Sequence, residues 1–442
     1  MELLSSRQSI LTLWAVIALI IGIVIGGITA FDMGNLFLIL IVGIFVLSII
    51  KPKICFLFLV LLTPWSPAMI GMMVNVSENI IGLPITIFEL LAAAAWIAIL
   101  LNIKKIRNVN LPKISLIHLI LLLWLIISAL VGVARGTDVL RLLRNVIVFS
   151  SFFPFSVLMS SGLLVLSTKE RVYYQILVLG TGLGALFFLS PLMGYHYGGV
   201  ALTSQIRINR IDWWFNTFVF VYILCTILGE KRLNTFLKMF LVTSTIISII
   251  LSLGRSFWLA AFGVIIYVSV THFKRNKWMI LFTSVVLGIS LLLFSDVMEQ
   301  RFILGEDSLQ HRFNEHSVIL SEAFNDGFFN SIIGRGLAAP IPEELARRFT
   351  ASYVWWIHNE WLLLLYNSGL IGLLLYGLFL FTLLGGMKNC LGGRLAGLAL
   401  LITSIGAGQV LSNISGPWIA FATYTFFTND SISKKLSETL QR

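Results

Sequence analysis

The chain consists largely of apolar runs about as long as a membrane-spanning helix, separated by short charged or turn-forming segments. A helix needs about 20 residues to cross the hydrocarbon core of a bilayer, because each residue adds about 1.5 Å. The candidate spans are 10–28, 34–50, 54–73, 83–101, 114–133, 145–166, 172–190, 213–229, 235–253, 256–273, 277–294, 359–387, 394–411 and 413–428. The prolines inside 54–73 and the short gap between the last two runs leave the helix count between about 12 and 14.

The composition excludes a soluble domain. Hydrophobic residues make up 58% and charged residues 12% of the chain, and the mean hydropathy is +0.95, whereas a soluble domain carries about 25% charged residues. The sequence therefore predicts an all-α polytopic membrane protein. We expect a transmembrane bundle at 1–294, one long, partly helical loop at 295–358, C-terminal transmembrane helices at 359–428 and a tail at 429–442.

Lysine and arginine are distributed unevenly between the two sides of the predicted membrane. If the N-terminus is cytoplasmic, 20 of the 31 basic residues lie in cytoplasmic segments, and each of those segments carries at least one. The positive-inside rule then places both termini in the cytoplasm and the loop 295–358 outside it. The net charge of +11 is explained mainly by this topology, so it does not indicate a nucleic-acid partner.

The basic residues that remain on the opposite face are all arginines. They are Arg135, Arg141, Arg144, Arg207, Arg210, Arg255, Arg301, Arg312, Arg335, Arg347 and Arg348. A guanidinium group binds phosphate through two parallel hydrogen bonds and stays charged when partly dehydrated, whereas a lysine is a hydrated point charge. This face is therefore suited to a phosphate-bearing ligand. The alternative is that these arginines pair with loop acids, as Asp212 would allow for Arg207 or Arg210, or extend to lipid headgroups.

Within the long loop, the sequence predicts local structure at three places. Residues 312–324 have apolar positions at helical spacing, which indicates an amphipathic helix. Gly334 and Gly336 predict a tight turn, and 342–348 has proline and acids at its start and arginines at its end, as a short helix should. Long loops with structure of their own are usually functional.

His358 lies where the chain re-enters the membrane, among aromatic residues. A neutral imidazole can accept a proton near physiological pH, as activation of a hydroxyl nucleophile requires. The N-terminus of the helix that follows would favour an anionic group beside it. The alternative is a boundary histidine that bonds a backbone carbonyl. Glu89, inside a predicted span, is the other polar residue of interest, with a proton relay as a weaker hypothesis.

Motifs for other chemistries are missing from the sequence. It has no metal-binding cluster, no nucleotide-binding glycine loop, no G-x-S-x-G and no dinucleotide fingerprint. We therefore expect neither a metal nor another cofactor. Cys55, Cys225 and Cys390 lie in or beside apolar segments and are interpreted as small hydrophobic residues rather than disulfide partners.

Several of these features together resemble the O-antigen ligase and O-antigen polymerase superfamily. The resemblance rests on the turn around Arg255, the Arg312-led helix, the turn 333–336, and His358-Asn359 followed by the segment 366–372. It covers roughly residues 200 to 380, and the earlier spans match only in hydropathy.

The resemblance implies a GT-C-like, metal-independent glycosyltransferase of the bacterial inner membrane whose active site faces the periplasm. The implied donor is a glycan on undecaprenyl pyrophosphate, and the implied acceptor is the lipid A core or a growing glycan. By position, His358 matches the family's catalytic histidine. The residues implied in pyrophosphate binding are Arg207, Arg210, Arg255 and Arg312, with Arg335, Asn359 and Glu360 as secondary candidates.

The motifs leave three readings within the superfamily. The chain could be an O-antigen ligase, a repeat-unit polymerase or, with less weight, a protein-directed transferase. All three must bind the pyrophosphate of the donor in the same way. A transporter of lipid-linked sugars is the alternative from another class, and it would favour ionisable residues such as Glu89 at the middle of the membrane.

Overall fold

The computed structural model describes residues 34–62, 86–107, 109–165, 258–268, 313–325, 327–340, 359–387, 391–406, 411, 416–417, 419–421 and 423, with isolated positions between 270 and 292. Its helices, numbered in chain order, are α1 (Gly34–Ile50), α2 (Pro52–Leu62), α3 (Ile87–Leu101), α4 (Ile103–Ile106), α5 (Lys113–Ala134), α6 (Val139–Ser150), α7 (Phe152–Ser160), α8 (Trp258–Val268), α9 (313–325), α10 (Phe328–Ile333), α11 (Glu360–Met387) and α12 (Leu391–Gly406). No strand occurs within these ranges.

Three segments are long and apolar enough to cross a membrane: Lys113–Ala134, Val139–Ser160 and Glu360–Gly386. The predicted helices at 114–133 and 359–387 are confirmed. The described part of the chain thus fits an α-helical membrane protein. The count of 12 to 14 spans stays a prediction, since the runs 10–28, 172–190, 213–229 and 235–253 lie outside the described residues.

The predicted start of the span at 145–166 was wrong. The helix begins at Val139, because the Asp138 side chain accepts a hydrogen bond from the Leu140 N–H at 3.1 Å and caps it. Arg141 and Arg144 lie exposed on this first part, so their charges do not prevent the helix from starting before the apolar run.

The described helices fall into two compact units. In the first, α1, α2 and α3 pack on one another, and α3 contributes the fully buried alanines Ala92, Ala94, Ala95 and Ala98. Small side chains allow helices to approach closely in a membrane. Cys55 is buried here and its Sγ donates to the Leu91 carbonyl at 3.4 Å, in keeping with its interpretation as a small core residue.

Glu89 lies in the first turn of α3, which begins at Ile87 rather than at the predicted position 83. Its Oε2 accepts a hydrogen bond from the Thr86 N–H at 2.7 Å, and its own N–H donates to Thr86 Oγ1 at 3.3 Å. This reciprocal pair is a capping box, which satisfies backbone donors at a helix N-terminus. The buried carboxylate therefore has a structural role that explains its presence among apolar residues.

In the second unit, α11 packs against α5, α10 and α12, and α5 also contacts α6 and α7. At 22 residues, α5 is about 33 Å long, enough to cross a bilayer. One face of it is exposed in a stripe formed by Leu116, Ile120, Leu123, Ile127 and Leu130. The three- and four-residue spacing makes it one continuous helix face. A bilayer would contact this face, and we call it the lipid-facing stripe.

The opposite face of α5 forms the core of the second unit. His118 is fully buried, its Nε2 lies 3.1 Å from the Phe149 carbonyl oxygen, and its ring packs against those of Phe152 and Phe379. The helix ends at Ala134, and the Thr137 N–H donates to the Gly132 carbonyl at 2.9 Å in a closing turn.

Candidate functional site

The residues predicted to carry catalysis and donor binding are only partly within the described chain. His358, Arg207, Arg210, Arg255 and Arg312 lie outside the described residues. Their convergence on one site therefore stays a prediction. Arg335, Asn359 and Glu360 are described, and they show how the chain is held immediately after His358.

Asn359 caps the helix that follows His358. Its Oδ1 accepts hydrogen bonds from the N–H groups of Trp361 at 3.0 Å and Leu362 at 3.4 Å. Its main-chain carbonyl accepts from the Leu363 N–H at 2.9 Å. Since these bonds satisfy donors that the first turn cannot pair internally, the start of α11 is fixed two residues after the predicted catalytic histidine.

Glu360 anchors the same turn in the protein interior. Its side chain is 1% exposed, and its two oxygens accept from the Tyr376 hydroxyl at 2.7 Å and the Leu411 N–H at 2.9 Å. Trp361 packs edge-on against the Tyr376 ring, with 5.1 Å between the ring centres. The carboxylate thus joins the first turn of α11 to a later turn and to the chain near Leu411, which is a positioning role.

The predicted glycine turn is confirmed, and it lies between two helices. Gly334 and Gly336 have φ angles of 86° and 101°, a region that favours glycine. A Cβ on Gly336 would lie 2.5 Å from the backbone nitrogen of Gly132 in α5, and one on Gly334 would lie 2.5 Å from the Asn367 carbonyl in α11. No other residue type fits at these two positions without moving a helix backbone.

Helix α11 is broken where this turn meets it. Gly369 has φ 67° and ψ −168°, which is not helical, and a Cβ there would collide with the Ile332 carbonyl. We call the contact of Gly132, Gly334, Gly336 and Gly369 the glycine junction. Because a broken helix frees carbonyls that are costly to bury unpaired, the junction must supply other donors.

The donors come from the turn and from α5. The N–H groups of Arg335 and Gly336 donate to the carbonyls of Tyr366 at 2.9 Å and Asn367 at 3.0 Å. Ser128 Oγ also donates to the Asn367 carbonyl, at 2.7 Å. Trp124 Nε1 donates to the Ser368 carbonyl at 2.9 Å, so three successive carbonyls before the break are paired. In return, the Ser128 carbonyl accepts from the Leu337 N–H at 3.0 Å.

The Arg335 side chain is engaged by neighbours of the junction. Its guanidinium forms an ion pair with Glu322 of α9 and lies over the Tyr366 ring, 5.3 Å from its centre. The Tyr366 hydroxyl in turn donates to the Pro340 carbonyl at 2.8 Å. These contacts hold α9 and the turn against α11. They favour a structural role for Arg335 over the phosphate-binding role for which it was a secondary candidate.

The amphipathic helix predicted at 312–324 is confirmed as α9, in which Glu315, Ile319 and Ala323 are buried at four-residue spacing. The short helix predicted at 342–348 lies outside the described residues. Within the described residues, no three His, Cys, Asp or Glu side chains come close enough to hold a metal ion.

The sequence interpretation overlooked the residues of α5 that complete the junction. Trp124, Ser128 and Gly132 were treated as part of one apolar run. Their signal was present in the sequence, because a serine and a glycine four residues apart in a leucine-rich span are typical of a close helix contact.

Comparisons with known proteins place the chain in no family: no family model matches it, and no curated protein or solved structure is significantly similar to it.

Proposed function

We propose that the chain is a membrane glycosyltransferase that transfers a glycan from an undecaprenyl-pyrophosphate donor to an acceptor hydroxyl on the periplasmic face, with ligation of O-antigen to the lipid A core as the reaction. The observation that carries the proposal is the glycine junction. Two motifs behind the resemblance to the O-antigen ligase superfamily, 333–336 and 366–372, are about 30 residues apart in sequence, yet they meet in direct backbone contact.

The contact explains why a transferase needs both motifs. The segment 366–372 belongs to α11, the helix that begins just after His358, and the turn 333–336 lies within the long loop. Their junction fixes the loop to the helix. A catalytic group gains from such rigidity, because small displacements of the reacting atoms cost large factors in rate.

In the proposed reaction, the oxygen of the acceptor hydroxyl attacks the anomeric carbon of the donor sugar. The bond between that carbon and the pyrophosphate oxygen breaks, and undecaprenyl pyrophosphate leaves with the bonding electrons. His358 accepts the proton of the hydroxyl as general base, a step that typically contributes about a hundredfold to ten-thousandfold in rate. Arg255, Arg312 and one or both of Arg207 and Arg210 stabilise the charge on the leaving pyrophosphate.

The capping role of Glu89 removes one argument for a transporter of lipid-linked sugars. The transporter hypothesis relied on Glu89 as an ionisable group at the middle of a predicted span. Its carboxylate instead caps the N-terminus of α3 through Thr86, so a common structural role accounts for it.

A deletion strain tests the proposal and separates ligase from polymerase. The lipopolysaccharide of the deletion strain is compared on a gel with that of the parent strain. A ligase predicts loss of all long chains while the lipid-linked glycan accumulates, whereas a polymerase predicts lipid A core capped with a single repeat. An unchanged ladder, with no accumulation of lipid-linked glycan, would remove the chain from both pathways.

The two members of the Arg335–Glu322 ion pair provide a test of the secondary phosphate-binding assignment. Arg335→Gln and Glu322→Gln each remove one side of a partly exposed pair, which is worth about 1 kcal/mol or less. If Arg335 only positions the turn, Arg335→Gln loses more thermal stability than Glu322→Gln, because it also loses the contact with the Tyr366 ring, and in both variants transfer activity falls in step with stability. A loss of activity in Arg335→Gln far beyond its loss of stability would instead assign the guanidinium to the donor pyrophosphate.

A further inference from the structure

The segment 313–329 carries large apolar side chains that the protein does not cover. Phe328 is 81% exposed, Phe329 is 72% exposed and Phe313 is 67% exposed, and Phe324 and Leu320 are also exposed. We call these five residues the aromatic surface. An exposed apolar group of this size marks a site of interaction rather than ordinary surface.

The geometry of α9 places its three members on one face. Phe313, Leu320 and Phe324 are separated by seven and four residues, which brings them to the same side of a helix. The buried residues Glu315, Ile319 and Ala323 occupy a different face. The packing of Glu315, Ile319 and Ala323 in the interior therefore leaves the face with Phe313, Leu320 and Phe324 exposed.

Phe328 and Phe329 adjoin the end of that helix. The Ser331 hydroxyl of α10 donates to the Ala323 carbonyl at 3.0 Å and to the Gly327 carbonyl at 3.2 Å. These bonds hold the short helix α10 against the last turn of α9. Phe328 and Phe329, in the first turn of α10, therefore follow closely on the end of α9.

A hydrogen bond places this segment at the level where a spanning helix leaves the membrane. The Arg135 guanidinium, directly after α5, donates to Asn330 Oδ1 at 2.6 Å, and Asn330 is the residue next to Phe329. The lipid-facing stripe of α5 continues to Leu130 and Val133 in the last turn of the helix. The aromatic surface is therefore close to the boundary between hydrocarbon and headgroups.

The charge near this boundary matches anionic lipid. Arg135, Arg141 and Arg144 follow one another closely and are exposed, and Arg141 lies 3.8 Å from the Asp138 carboxylate. Leu140 and Leu143 are exposed on α6, the helix that carries Arg141 and Arg144. Exposed apolar side chains interleaved with arginines are typical of segments that lie in the membrane interface.

We propose that the aromatic surface inserts into the headgroup region of the lipid bilayer and docks the segment 313–340 on the membrane beside the end of α5. The inference does not depend on glycosyl transfer. It assigns the partner of this surface as a phospholipid bilayer, rather than another protein.

Fluorescence quenching in the full-length chain tests the proposal. Cys55, Cys225 and Cys390 are first replaced by alanine, and the protein is reconstituted in vesicles of zwitterionic and anionic phospholipid. An environment-sensitive fluorophore is attached to Phe328→Cys and, as matched control, to Asn325→Cys, an exposed polar residue of α9 on another face. We expect the probe at 328 to emit at shorter wavelength and to be quenched by nitroxide lipids, while aqueous iodide quenches only the probe at 325.

Two outcomes would overturn the proposal. Equal quenching by iodide at both positions places the surface in water, and protection of position 328 from both quenchers shows that a protein covers it. A measurement on the unaltered chain guards against variants that do not fold. A phospholipid with a photoreactive headgroup should label the tryptic peptide 313–335, and absence of label there, with label elsewhere on the chain, would also reject the proposal.

Discussion

Gly336 is the residue at which the loop and α5 come within backbone contact. Its φ of 101° already disfavours any side chain, at a cost of about 1 to 3 kcal/mol. The space for a Cβ is occupied by the Gly132 backbone at 2.5 Å, so the two effects add. A single methyl group at this position separates α5 from the turn.

Gly336→Ala should therefore lower the stability of the folded protein by at least about 2 kcal/mol. The measurement is the temperature at which the detergent-solubilised protein loses its monodisperse chromatographic peak. Gly385→Ala is the matched control, because a Cβ there meets nothing within 4 Å and alanine favours a helix. Equal melting of the two variants would show that the junction is not as close as described.

Glu360 lies two residues after the predicted catalytic histidine, so its carboxylate could either anchor the helix or act as an acid or base in the reaction. Both of its oxygens accept hydrogen bonds in the interior. A glutamine can accept from the Leu411 N–H and donate to the Tyr376 hydroxyl oxygen, so it can replace the carboxylate as an anchor but not as an acid or base.

We expect Glu360→Gln to keep most of the transfer activity and Glu360→Ala to lose stability by about 1 to 3 kcal/mol, because the alanine leaves buried donors unpaired. Activity and melting temperature are measured on the same preparations. If Glu360→Gln melts like the parent protein but is inactive, the carboxylate takes part in the reaction.

At the scale of elements, apolar length predicted α5 and α11 well and the interruption of α11 poorly. The bounds of α5 and α11 follow from runs of residues that only a membrane accommodates. The break of α11 at Gly369 does not follow, because Gly372 and Gly377 lie in the same run and remain helical. The helix breaks at Gly369 because the turn 333–337 packs against it there. That contact joins segments far apart in sequence.

The two faces of α5 provide a test of how this element packs. Ile120 is 52% exposed in the lipid-facing stripe, whereas its neighbour Leu121 is fully buried in the second unit. Ile120→Trp should be tolerated, and Leu121→Trp should cost about 1 to 3 kcal/mol through overpacking. The measurements are the yield and the melting temperature of each variant. If Ile120→Trp were the less stable of the two, α5 would be rotated from the described orientation.

At the scale of the whole molecule, composition and hydropathy were sufficient for an α-helical membrane protein. They were not sufficient for the candidate site, for a physical reason. Periodicity reports which face of a helix is apolar, but a site depends on which helices meet, and that is set by single small residues such as Gly132 and Ser128 whose signal is local and weak. The roles of Asn359 and Glu360 likewise depended on distant partners.

The same limit applies to the proposed chemistry. The turn 333–336 and the segment 366–372 are in contact, but the arginines proposed to hold the donor come from other parts of the chain. A functional measurement on the histidine therefore tests the account more directly than any test of the scaffold.

That measurement is the rate of glycan transfer by the purified protein in vesicles, from an undecaprenyl-pyrophosphate-linked glycan to lipid A core, for His358→Ala against His316→Ala. His316 lies in α9, is not one of the predicted site residues, and serves as the control. We predict that His358→Ala loses about a hundredfold or more in rate at equal amounts of inserted protein, while His316→Ala keeps the parent rate. Transfer by His358→Ala at the parent rate would contradict the account.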